Sequence, residues 1–255
     1  MLRSRLIPSL LIKNNGLVKT RNFKEPKYVG DPINAVRIFN EKEVDEIMIS
    51  DIDATVKNID PNFSLIKKLA YECRMPLCYS GGIKTIYHAQ KIFSLGVEKI
   101  AISSAAINNP ILINEIANRV GNQSLVIVID SKKNIETGNY EVYTHNGKKK
   151  TGLNVKDFSL EAQERGAGEL VINSIENDCQ MKGYNYELIE EIRNQIHLPI
   201  TVLGGAGTLQ DIKELISKYK IIGASAGSLF VFKGLYRAVL INYPNRKEKE
   251  KLITY

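Results

Sequence analysis

The stretch Val44-Asp-Glu-Ile-Met-Ile-Ser-Asp-Ile-Asp53 recurs as Ala167-Gly-Glu-Leu-Val-Ile-Asn-Ser-Ile-Glu176. A second stretch, Met75-Pro-Leu-Cys-Tyr-Ser-Gly-Gly82, recurs as Leu198-Pro-Ile-Thr-Val-Leu-Gly-Gly205 at the same displacement of 123 residues. One long displacement shared by two separate segments marks a duplicated half, not a solenoid, whose repeats run about 20–50 residues. Each segment holds a short apolar, β-branched run, the form of a strand buried on both faces.

Further runs of this kind lie between and around the repeated ones. Eight are expected as strands: Leu6 to Ile12, Glu46 to Ser50, Pro76 to Ser80, Lys99 to Ser103, Leu125 to Asp130, Glu169 to Asn173, Ile200 to Leu203 and Ile221 to Ser225. Helical spacing fills most of the gaps, as in Phe63 to Ala70, Tyr87 to Leu95, Ile111 to Ile116, Leu160 to Arg165, Tyr186 to Ile196 and Leu209 to Tyr219. Apolar strands alternating with helices give a parallel sheet covered by helices, and eight such units in about 250 residues match a closed (β/α)8 TIM barrel. The expectation is one domain over residues 1–255, built from half-barrels of about 1–122 and 123–255 with no Gly/Ser/Pro-rich linker between them.

Composition narrows the partners. A chain of 255 residues, 44% hydrophobic and 25% charged, buries a core without help from disulfides or a structural metal. Cys73, Cys78 and Cys179 form neither a disulfide framework nor a paired zinc motif, and no run reaches the roughly 18–20 apolar residues of a membrane span. A cytoplasmic protein without membrane association is expected. The net charge of +7 carries no aromatic-plus-basic recognition motif, so nucleic acid is not an expected partner. Lys148-Lys149-Lys150 and the mixed-sign run over 245–251 hold part of the excess, and the latter reads as a solvated helix end.

In such a barrel the ligand site lies at the C-terminal strand ends. The third strand ends in Gly81-Gly82 and the seventh in Gly204-Gly205, turns whose N–H groups can approach a phosphate closely. The fourth ends in Ser103-Ser104 and the eighth in Gly227-Ser228. Two anion sites are therefore expected, one from Gly81, Gly82, Ser103 and Ser104 and one from Gly204, Gly205, Gly227 and Ser228, for a ligand with an anionic group at both ends, such as a phosphate. Asp130 closes an apolar strand and is the candidate proton-transfer group, whereas Asp51 and Asp53 read as a cap or loop turn. His88, His145 and His197 share no ligand spacing and read as surface or structural residues; no metal or cofactor is expected. At the opposite strand ends stand Arg5, Glu46, Lys99 and Glu169, two charges of each sign, which suit a ring of salt bridges plugging the barrel.

Arg5-Leu-Ile-Pro, Gly16-Leu-Val-Lys19, Ser80-Gly-Gly-Ile83, Ile129-Asp130, Asn146-Gly-Lys-Lys149, Arg165-Gly-Ala-Gly-Glu169 and Gly204-Gly-Ala-Gly207 resemble, in order and spacing over essentially the whole chain, the HisF family of cyclase subunits of imidazole glycerol phosphate synthase. The resemblance implies a duplicated barrel that takes ammonia from a HisH-like glutaminase docked on its floor. It places the family's ammonia gate on Arg5, Glu46, Lys99 and Glu169, its partner-contacting acid on Glu98, its base on Asp130, its phosphate-binding lysine on Lys19 and its acidic loop residue on Asp178. The family's acid position holds Leu11, a glycine position Cys179 and a serine position Leu203, so weak classical cyclase activity is expected. Pro8-Ser-Leu-Leu-Ile-Lys13 is similar to HisF-like paralogues of surface-polysaccharide and acidic-sugar pathways. Those supply ammonia, with a glutaminase, to a third, ATP-using amidotransferase that makes an acetamidino group. That role, the classical cyclase and a non-catalytic scaffold are the three readings the sequence carries.

Overall fold

The apolar runs close into a ring of eight parallel strands in the computed structural model, which describes residues 3–234 and 236–253. The strands are β1 (Arg5–Lys13), β2 (Ile47–Asp51), β3 (Leu77–Ser80), β4 (Lys99–Ile102), β5 (Leu125–Lys133), β6 (Glu169–Ser174), β7 (Ile200–Leu203) and β8 (Gly223–Ala226). Each pairs with its sequence neighbour, and Arg5 opposite Gly223 joins β1 to β8, so no edge is left open. The expected (β/α)8 TIM barrel is thus the observed fold.

Among the described residues the longer helices cover the ring: α1 (Pro32–Glu41), α2 (Phe63–Glu72), α3 (Ile86–Ser94), α4 (Ile111–Val120), α5 (Val155–Glu164), α6 (Tyr186–Arg193), α7 (Leu209–Tyr219) and α8 (Arg246–Ile253), with single turns at Ser104–Asn108 and Ser228–Val231. Sequence spacing missed α1, although its start carries a full signal. Asp31 accepts the N–H of Asn34 at 2.8 Å and Pro32 opens the first turn. Helix α5 begins before the expected Leu160, because the side chain of Asn154 accepts the N–H groups of Lys156 and Asp157.

Two hairpins were also missed. Gly16–Arg21 and Lys24–Gly30 continue β1 as antiparallel strands, and Tyr140–Thr144 and Lys149–Asn154 continue β5. Their outer strands, Lys-Glu-Pro-Lys-Tyr-Val-Gly and Lys-Lys-Thr-Gly-Leu-Asn, are largely exposed and lack the apolar alternation of a core strand. A smaller pair, Phe232–Lys233 with Ala238–Val239, follows β8.

Burial divides the barrel strands by parity. One set of side chains, including Leu6, Leu10, Ile47, Ile49 and Leu77, packs outward with the helices in a large core. The alternate set, Ile7, Met48, Cys78, Ala101, Val126, Val128 and Val171, forms a separate apolar layer inside the ring. Among the described residues no helix is long and apolar enough to cross a membrane.

Candidate functional site

The interior layer has a charged layer beneath it and a polar one above. Beneath, Arg5 bonds Glu46 and, at 2.9 Å, Glu169, while Lys99 reaches Glu46 at 3.0 Å and Glu169 at 2.9 Å. Thr201 donates a further bond to Glu169 at 2.6 Å. Each cation thus bridges both anions, and the ring closes the barrel floor. Burial opposes the charges on Arg5 and Lys99, but Glu169 and Glu46 outweigh it and hold both cations above their ordinary pKa. Burial likewise opposes the Glu169 carboxylate, and Arg5 and Lys99 hold it below the usual range. Glu98, beside the ring, is exposed, and its carboxylate accepts the N–H of Leu77 at the start of β3 at 2.9 Å.

Above the apolar layer opens a cavity of about 1070 Å³, including its solvent-facing part. Leu11, Met48, Ala101, Val128 and Leu203 give it an apolar base, and Ser9, Ser50, Ser80, Ser103, Ser104, Asp130 and Asn173 give it polar walls. Asp130 accepts a bond from Asn173 Nδ2 at 2.8 Å. Burial pushes its carboxyl up from 3.8 to about 6, against the Asn173 bond and with help from the charge of Asp178. Asp51 is raised too, chiefly by burial, and its Oδ1 accepts the N–H groups of Asp53 and Ala54 at 3.0 and 3.2 Å, the loop turn expected of it.

A smaller recess adjoins the cavity, lined by Lys19, Asp178, Cys179, Gly204, Gly205, Gly227 and Ser228. Lys19 faces both spaces and donates to Asp178 at 2.6 Å, with Thr20 donating to the other carboxylate oxygen at 3.3 Å. The Gly-Gly turns have a steric origin of their own. Gly81 has φ +120° and a Cβ there would lie 2.5 Å from the Asp51 carbonyl oxygen; at Gly205, φ +113°, it would lie 2.0 Å from that of Gly183. Glycine lets each turn press against the preceding loop while leaving its backbone on a cavity. The Oγ atoms of Ser103 and Ser228 are buried with no protein partner.

The structure therefore brings Leu11, Lys19, Gly81, Gly82, Ser103, Ser104, Asp130, Asp178 and Gly227 to one cavity, and Gly204, Gly205 and Ser228 to its neighbour. Cys179 adopts φ +61°, the left-handed backbone that favours glycine, and Arg237 donates to its sulfur at 3.3 Å. His88 is buried beside the Gly82 turn, its Nδ1 3.3 Å from the Gly82 carbonyl oxygen, a structural place as expected. The second hairpin folds its tip over the cavity, where Asn146 donates to the Ile52 carbonyl at 3.0 Å, so His145, expected as a surface or structural residue, lines the site. Asn173, the partner of Asp130, was also missed; its place at the end of β6, in register with Asp130, was the available signal. Among the described residues no group of three or more His, Cys, Asp or Glu side chains is arranged to hold a metal.

The profile of the histidine biosynthesis protein family matches residues 5–236. A protein of Leptospira interrogans provisionally named imidazole glycerol phosphate synthase subunit HisF is 54% identical over 252 residues, 99% of each chain. A provisionally named subunit hisF2 of Pseudomonas aeruginosa is 50% identical over 96% of this chain and 97% of its own. The imidazole glycerol phosphate synthase subunit HisF of Natranaerobius thermophilus is 34% identical over 98% and 99%.

Removing one cation from the floor ring leaves two buried carboxylates to Arg5 alone. Lys99→Met should cost about 3–5 kcal/mol of unfolding free energy, read by urea denaturation at neutral pH. Asp130 gives the opposite sign. Its native carboxyl holds the proton more tightly than the unfolded one, so stability falls as pH rises from about 4 to about 6 and the deficit persists above. Asp130→Asn should stabilise the protein at pH 7 by about 1–3 kcal/mol, with the gain vanishing near pH 3.5.

Proposed function

Because this chain belongs to the histidine biosynthesis protein family and is a HisF-type synthase subunit, we propose that it takes ammonia from a HisH-like glutaminase through the barrel floor and passes it to the amidation of a sugar. The acceptor chemistry, formation of an acetamidino group, then falls to a third, ATP-using amidotransferase in surface-polysaccharide biosynthesis. The observation that carries this reading is the contrast between the two ends of the barrel. All four members of the charged ring are present and mutually bonded, while Leu11 lines the base of the cavity where the family resemblance places an acid.

The floor and the layer above it divide the work. Opening the ring at Lys99 separates one cation from two carboxylates while Arg5 still pairs with both. Glu98, exposed beside the ring, offers a carboxylate to the glutaminase. Beyond the ring, Ile7, Met48, Cys78, Ala101, Val126 and Val171 present no charge, so the desolvation cost of an ammonium ion excludes it while neutral ammonia passes. The ammonia then reaches the base of the cavity at Leu11, Met48 and Leu203.

Gly81, Gly82, Ser103 and Ser104 form one anion site in the cavity, and Gly204, Gly205, Gly227 and Ser228 form the other in the adjoining recess, copies of one half-barrel unit. Lys19 serves the second site, exchanging Asp178 for the anion. The unpartnered hydroxyls of Ser103 and Ser228 supply donors already paid for by the fold. Asp130, ionised in most molecules at pH 7, accepts a proton. Its retention together with Lys19 and both glycine pairs supports the second reading, classical cyclisation of the phosphoribulosyl intermediate of histidine biosynthesis. That reaction also needs a proton delivered to the leaving group, and the Leu11 side chain has none to give.

Mixing this chain with a HisH-like glutaminase should give a co-eluting complex with stimulated glutamine hydrolysis; two separate peaks and unchanged hydrolysis would refute the reading. With free ammonia and the histidine-pathway intermediate, wild-type turnover should be low and Leu11→Asp should raise it, up to the roughly 10²–10⁴-fold typical of a general acid. Wild-type turnover at ordinary enzyme rates would favour the classical cyclase instead.

A further inference from the structure

The net charge of this chain sits around one opening. Residues 13–30 hold five basic side chains and one acidic, and residues 131–154 hold five basic and two acidic. The remaining residues hold 25 of each sign, so two segments account for the whole of the +7. These segments are the two hairpins that continue β1 and β5 at the cavity end of the barrel.

The hairpins form one continuous surface. At the tip of the second, Gly147 lies against the Phe23 ring of the first, where a Cβ would stand 3.3 Å from it, and Asn146 bonds the Ile52 carbonyl across the mouth. Lys27 of the first hairpin lies 5.6 Å from the Phe232 ring centroid, which joins the 232–239 turn to the same rim. Lys19, Lys133 and Lys150 are occupied by Asp178, Glu187 and Glu141. Arg21, Lys24, Lys27, Lys132, Lys148 and Lys149 are exposed and pair with no carboxylate among the described residues.

Apolar groups stand among these charges. Tyr28 is 67% exposed on the first hairpin, Ile135 is 93% exposed at the start of the second, and Tyr236 is 93% exposed on the neighbouring turn. A field that only steered a small anion into the cavity would need the lysines and none of these. Large apolar side chains set among like charges suit a protein surface that buries the apolar groups and matches the charge. We propose that this rim is a docking collar for an acidic protein subunit that covers the cavity mouth. Resting on the amidation reading, the occupant is the ATP-using amidotransferase, whose acceptor site would then face the ammonia exit. The floor ring, at the other end of the barrel, stays free for the glutaminase.

The test uses the complex of this chain with its glutaminase and, as probe, the ATP-using amidotransferase from the same genome. Binding is followed by biolayer interferometry from 50 to 500 mM salt. The wild-type complex should bind it with affinity falling steeply as salt rises, and the triple variant Lys24→Glu, Lys148→Glu, Lys149→Glu should bind at least about tenfold more weakly. Ile135→Ser with Tyr236→Ser should weaken binding without changing its salt dependence. Both variants should keep the glutaminase complex, the readout that separates this inference from the ammonia-transfer reading. Unchanged partner affinity in the triple variant would overturn the collar, as would no binding by wild type. Weaker uptake of inorganic phosphate by the variant with intact partner binding would make the charges a small-anion funnel, and tighter binding of RNA or anionic vesicles than of the partner would also refute the proposal.

Discussion

A closed ring of eight parallel strands sends every second side chain into a space too narrow for bulk water, and that constraint orders the rest of the molecule. The interior residues fall into three layers. Arg5, Glu46, Lys99 and Glu169 fill the floor, Ile7, Met48, Cys78, Ala101, Val126 and Val171 the middle, and hydroxyls with Asp130 and Asn173 the top. A lone charge in the floor would cost far more than it returned, so the ring is tolerable because every member touches two of opposite sign. The apolar middle in turn separates the charged floor from the polar cavity, so the two ends differ in chemistry.

The cavity departs from the symmetry of its own sequence repeat. Ser80 and Leu203 occupy equivalent strand ends, as do Ser50 and Asn173, and the first strand of the N-terminal half offers the cavity Leu11 where that of the C-terminal half offers Asp130. Of the three carboxylates on this cavity, Asp51 accepts bonds within its own loop turn and Asp178 is paired with Lys19, so Asp130 is left as the proton-transfer group, with Leu11 and Leu203 on the same lining having no proton to give. The Lys19–Asp178 pair belongs to this economy. It keeps a cation beside the Gly204-Gly205 turn without leaving it unpaired while no anion is bound.

Charge follows the same division between ends. Inside the barrel it is balanced residue against residue, and around the cavity rim it is left unbalanced and exposed. Unbalanced charge on hairpins adds little to folding, because it is solvated and screened, so its concentration there speaks to encounters with other molecules.

The barrel itself was legible in the sequence, because strands buried on both faces must be apolar and the 123-residue repeat fixed their number and spacing. The glycine pairs, Asp130 and the four floor charges were legible for a related reason: strand ends are where barrel chemistry sits. The hairpins were not. Their outer strands are polar and exposed, and the short inner ones are held by backbone pairing to β1 and β5 and by tip contacts such as Asn146 with Ile52, none of which a local apolar pattern announces. Hence His145 reads as a surface or structural residue, and the +7 as local runs at Lys148-Lys149-Lys150 and 245–251. Only the tertiary structure put His145 over the cavity and gathered the charge into one rim, because residues more than 100 positions apart meet there through barrel closure and not through any local pattern.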